Sequence, residues 1–117
     1  MSITQPIPFA PFKMQDAATA GNGQTLILSG QQEQLNLWLQ SSGTTSGGTI
    51  SIEEAFFPPE TPGFSGTWSV ITTVSASTIT GGAAVMIHSP ANYWAVRARI
   101  SSNITGGGTI TVYGWGS

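Results

Sequence analysis

The chain has no cysteine, so neither a disulfide framework nor a thiolate zinc site is available to it. Charge is almost as scarce: three basic and five acidic side chains make 7% of 117 residues, against about 25% in ordinary soluble domains. Three cations cannot neutralise a row of phosphates, which argues against nucleic acid as a partner. No apolar run approaches the roughly 18 to 20 residues of a spanning helix, and "MSITQPIPFAPF" has neither the basic start nor the apolar centre of a secretory signal, so no membrane partner is expected. Histidine occurs once, at position 88. A surface with so few charges must be made of Ser, Thr, Gly, Asn and Gln, or else be covered by neighbours, since interface cores are depleted in charge.

Residues 1–23 carry Pro6, Pro8 and Pro11 with Ile7, Phe9 and Phe12 between them. Proline fixes its own φ, lacks an N–H and pushes its predecessor toward an extended conformation, so this spacing predicts an extended N-terminal arm. An arm of that length spans up to about 75 Å. Its apolar side chains want a surface, either along the chain's own sheet or on a neighbouring subunit, and the second makes Ile7, Phe9, Phe12 and Met14 the candidate partner-binding residues.

From residue 24 onward the pattern has period two, the mark of half-buried strands. Strands are expected at 24–29, 34–40, 48–57, 67–74, 83–89, 93–101 and 108–115, with Gly, Ser, Thr, Pro and Asn in the gaps. With no helical stretch, the expected fold is all-β: an antiparallel β-sandwich or jelly roll of about seven to eight strands in 24–117, preceded by the arm. Alternation assigns Leu35, Leu37, Leu39, Ile50, Ile52, Trp68, Val70, Val74, Trp94, Val96, Ala98, Ile100, Ile110 and Val112 to the inner face. It would also turn Glu54 inward, unless a bulge near Glu53 and Glu54 turns Ala55 and Phe57 in instead. The last two strands read as a terminal hairpin, and with the initiating Met1 they suggest a complete chain.

Arg97 and Arg99 fall on the outer side of their strand with Tyr93. Two readings stand: an ordinary cross-strand salt bridge to Glu53 or Glu54, or charges at a subunit interface. No catalytic constellation is legible. His88 ends a strand without a recognisable nucleophile or acid to partner it, and Glu53 and Glu54 are adjacent and should point apart. "GFSG" lacks the spacing of a nucleophile elbow, and "GNG" and "GGG" lack the helix of a phosphate loop. The triplet "NIT" fits the glycosylation acceptor pattern, a frequent chance match. The chain is therefore read as non-enzymatic, with no catalytic residue, cofactor or metal. Aromatics are the remaining binding signal: Trp38, Tyr93 and Trp115 form a candidate glycan platform, with Phe64 and Tyr113 also off the inner face or in loops.

The succession "LNLWLQSSGTTSGGTISIEEAFF", "GTWSVITTV" and "YWAVRARISSNITGGGTITVYGW" resembles the small β-sandwich structural proteins of tailed-phage virions, over roughly residues 24 to 115. That resemblance implies a capsid cement or decoration protein, a homo-oligomer such as a trimer on the capsid exterior, assembled in the host cytoplasm and bridging capsomers by contact with the major capsid protein. Its alternative is a receptor- or carbohydrate-binding domain of a phage tail or fibre.

Overall fold

Alternating apolar residues fold here as eight strands, and the computed structural model describes residues 11–28, 33–55, 66–90 and 95–117. The strands are β1 (Phe12–Ala18), β2 (Leu26–Ile27), β3 (Gln34–Ser42), β4 (Gly47–Ala55), β5 (Ser69–Ser75), β6 (Ala84–Pro90), β7 (Ala95–Thr105) and β8 (Thr109–Gly116), with one 3-10 turn at Ala76–Ile79. They make two four-stranded antiparallel sheets, β1-β8-β3-β6 and β2-β7-β4-β5. Strands pair first with last, β1 with β8, β2 with β7, β3 with β6 and β4 with β5, as in one long hairpin rolled into two layers. That is the order of a jelly roll.

Each sheet turns one side chain in two toward the other. Leu35, Leu37 and Leu39 of β3 and Ile110 and Val112 of β8 face Ile50 and Ile52 of β4 and Val96, Ala98 and Ile100 of β7, all buried. Removing each large aliphatic side chain from water contributes about 1.5–3 kcal/mol, which makes this interlayer seam the main source of cohesion.

Four expectations need correction. The first concerns the arm. Phe12–Ala18 is an edge strand of the chain's own sheet, with Phe12 opposite Gly114, and Met14 is fully buried in the chain's own core. Gly114 shows why Met14 sits there. A Cβ at that position would come within 2.5 Å of Met14 Sδ and 3.1 Å of Leu37 Cδ2, so the missing side chain is the space the thioether fills. Met14 is thus a core residue, and Phe12 lies at the start of β1; Ile7 and Phe9 lie outside the described residues.

The second concerns the terminal hairpin. β7 and β8 lie in opposite sheets, and among the described residues β4 and β5 are the only consecutive strands that share one. Alternation reveals which residues face the core but not which layer carries them. Gly106 and Gly107, at φ +105 and +93, occupy left-handed backbone that lets the chain arch across.

The third is the phase of β5. Ile52 lies opposite Thr72 and Glu53 opposite Val70, so Ile71 is an extra residue on β5. The expected bulge therefore exists, but in the neighbouring strand. Val70 turns out to solvent while Ile71 and Val74 pack on the core. β4 itself runs regularly against β7 from Ile50 to Ala55, so Glu54 keeps the phase of the isoleucines and Ala55 that of Glu53. Phe57 and Trp94 lie outside the described residues.

Trp68, the fourth, belongs to the outer side of this sheet, with its ring 4.2 Å from the Arg97 guanidinium carbon.

Candidate functional site

Two outer faces result, one on each sheet. On β1-β8-β3-β6, the alternation that buries Leu37 turns Trp38 outward, and the one that buries Val112 turns Tyr113 and Trp115 outward. Registry joins them: Trp38 lies directly opposite Tyr113, and Trp115 lies opposite Asn36. Cross-strand neighbours on one face have Cβ atoms about 4.5–5.5 Å apart, close enough for their rings to line a common surface. With Pro11 these three rings wall a cleft of about 280 Å³. The Trp38 indole N–H donates to Gln40 Oε1 at 3.2 Å, and the Gln40 amide donates to the Gly82 carbonyl, so the indole edge is held from below. Lys13 sits 5.8 Å from the centre of the Tyr113 ring and 3.5 Å from Asp16.

Polar groups flank the rings. At one end Asn36, although on the outer face, is only 5% exposed. Its amide N–H donates to Ser117 Oγ at 3.1 Å, and its Oδ1 lies 2.7 Å from His88 Nδ1 and 3.0 Å from Gln34 Nε2. The contacts of His88 are thus amides, with Gln34 Nε2 2.8 Å away. At the other end, a second hollow of about 350 Å³ is lined by Gln40, Ser42 and Thr111.

The outer face of β2-β7-β4-β5 is built around a carboxylate. Glu53 lies opposite Arg97 across the β4–β7 pair, and Arg99 lies opposite Ser51. Arg97 Nε donates to Glu53 Oε1 at 2.7 Å, Arg99 Nε to Oε2 at 3.0 Å, and the Ser51 hydroxyl to Oε2 at 3.1 Å. Glu53 is 3% exposed. Burial pushes its carboxyl pKa up, but hydrogen bonds from Arg97, Arg99 and Ser51 and the Arg97 charge together hold it below the ordinary value. Exposed Val70, opposite Glu53, and Ile27, opposite Ala95, flank the cluster on the same face.

The structure therefore brings Trp38 and Trp115 of the expected platform together and adds Tyr113, while Tyr93 and Phe64 lie outside the described residues. Tyr113 was accessible from sequence through its place in the alternation of β8. What sequence could not supply was the β3–β8 registry that makes it Trp38's neighbour. Arg97 and Arg99 converge on one carboxylate of their own chain, and of the two candidate acids the registry selects Glu53. Among the described residues, no group of three His, Cys, Asp or Glu side chains is arranged to hold a metal. No protein-family model matches the chain, and no curated protein does either.

Proposed function

We propose that the chain is a non-enzymatic structural component of a bacteriophage virion, a capsid decoration protein that attaches to the major capsid protein on the capsid exterior and bridges neighbouring capsomers as a homo-oligomer, a trimer. The observation that carries this reading is a surface poor in charge that nevertheless exposes large apolar side chains: Ile27 at 46% and Val70 at 55% on one face, Trp38 and Met86 on the other. Trp38 and Met86 are cross-strand neighbours, while Ile27 and Val70 stand on the two edge strands either side of the Glu53 cluster, and apolar groups exposed on both faces support association. The resemblance to small virion sandwich proteins supplies the assembly, and the jelly-roll strand order agrees with it.

In this reading subunits meet through the outer face of β2-β7-β4-β5, around Arg97 and Arg99, and residues 1–10, with Ile7 and Phe9, reach the capsid. Ten residues extend up to about 33 Å. Removal of residues 2–10 stops short of β1, so the domain should fold while the protein no longer co-sediments with particles. Ile27→Asp places a charge in the proposed subunit contact opposite Ala95 rather than opposite Glu53, and should shift the sedimentation coefficient from oligomer to monomer. A truncated chain that still decorates particles, or a monomeric wild type, would overturn the proposal.

A further inference from the structure

We infer that the outer face of the β1-β8-β3-β6 sheet is a binding site for a neutral saccharide, seated on Trp38, Tyr113 and Trp115. The argument begins with the rings. Three aromatic side chains from two adjacent strands wall one cleft, and none of them is needed to close the interlayer core. The π face of an aromatic ring is electron-rich and apolar, and it suits the C–H face of a pyranose. Trp38 offers its ring in a fixed orientation because its N–H is already engaged by Gln40. Such preorganisation reduces the ordering cost of binding.

Polar groups at both ends fit the rest of a sugar. Hydroxyls of a ring stacked in the cleft reach outward toward hydrogen-bonding groups, and those are what the flanks hold: the Glu33 carboxylate, the Gln34 amide and the His88 imidazole on one side, Gln40, Ser42 and Thr111 on the other. Charge selects the class. The one cation beside the rings, Lys13, is held between the Tyr113 ring and Asp16. An acidic glycan would meet no second cation among the described residues of this face. At about 280 Å³ the cleft lies just below the usual range for ligand sites, about 300–1,000 Å³, and suits one small ring with the remainder of a chain lying along the sheet. A proline-rich peptide is the other occupant that aromatic grooves accept, and Pro11 on the rim is the point where the chain's own proline-rich leader joins β1. The polar flanks favour the sugar.

This site is independent of the virion reading, since it concerns only whether the cleft takes a saccharide. The test uses the full chain on an array of neutral and acidic glycans, followed by tryptophan-emission titration with chitotetraose, cellotetraose and maltotetraose. At least one neutral glycan should bind saturably, and Trp38→Ala should weaken it by about tenfold or more with the thermal midpoint unchanged. Tyr113→Ala, which removes the ring opposite Trp38, should weaken it as well. Failure of every neutral glycan on the array, binding confined to acidic glycans, or undiminished affinity in Trp38→Ala would each overturn the inference. So would a synthetic peptide of residues 2–10 that quenches a chain lacking them, in a Trp38-dependent manner, while no glycan does.

Discussion

Glu53 is a carboxylate on the outer side of a sheet, yet it is almost fully buried, and each of its oxygens accepts from a different guanidinium. Surface ion pairs usually contribute less than about 1 kcal/mol, but breaking a buried pair from one side leaves uncompensated charge and costs about 3–5 kcal/mol. Glu53→Gln removes the common partner of two arginines that keep some contact with water, so the lower end of that range applies. Urea denaturation at neutral pH should show a loss of about 3 kcal/mol. The pH dependence has a definite sign. The folded carboxyl holds its proton less tightly than the unfolded one, so the stabilisation is complete above the unfolded pKa of about 4.3 and is lost as pH falls through the lower folded value. Wild type should therefore lose stability on acidification more steeply than Glu53→Gln, whose difference from wild type shrinks with falling pH. A constant difference down to about pH 2.5 would show that the carboxylate's ionisation is not what holds this face together. Alanine at both Arg97 and Arg99 leaves this buried carboxylate without its guanidinium partners and should cost more than Glu53→Gln.

At the scale of elements, β1 is the strand that sequence did not disclose, and the reason is geometric. Lys13 pairs with Tyr113 and Gln15 with Val112, so Met14 is an extra residue; a second irregularity separates Gln15 from Ala18, where Ala17 adopts φ +48. Two irregularities in seven residues erase the period-two pattern, while three nearby prolines point toward an arm. The result buries Met14 and Gln15 in succession, and Gln15 donates across the layers to the Ala98 carbonyl at 2.7 Å. The other strands were legible because their alternation is unbroken along most of their length, as in β3, where Leu35, Leu37 and Leu39 all face inward. β5 was displaced in phase by Ile71 alone. In the candidate site, outward position was legible but neighbourhood was not, because registry is a property of two strands and alternation of one. Truncation separates arm from strand. Loss of residues 2–10 should leave the melting temperature within a few degrees, whereas loss of residues 2–18 strips the Met14 side of the core and should abolish cooperative unfolding. Met14→Ala alone should cost about 2–5 kcal/mol. A chain lacking residues 2–18 that still melted cooperatively would return β1 to the arm.

Across the whole molecule, the rolled-hairpin order sets how the chain can fold. The innermost pair joins Glu54 to Ser69, and the outermost joins Phe12 to Gly114, closing a loop about seven times longer. Each doubling of loop length costs about 0.6 kcal/mol, so closing the outer pair first costs about 1.7 kcal/mol more than closing the inner one, before any apolar burial offsets it. The β4–β5 hairpin with β7 against it is therefore the favoured nucleus, and β1 the last strand to join. Non-local pairing of this kind places folding in the range of about milliseconds to seconds. Mutations distinguish the two ends of this order. Ile52→Val, inside the nucleus, should slow refolding and change unfolding little; Met14→Ala should leave refolding unchanged and accelerate unfolding in stopped-flow measurements. The reverse pattern would mean that the chain closes its ends first. The order also bears on the cleft, because a β1 that docks last leaves the edge of β8 and the Pro11 rim of the aromatic cleft open until the final step.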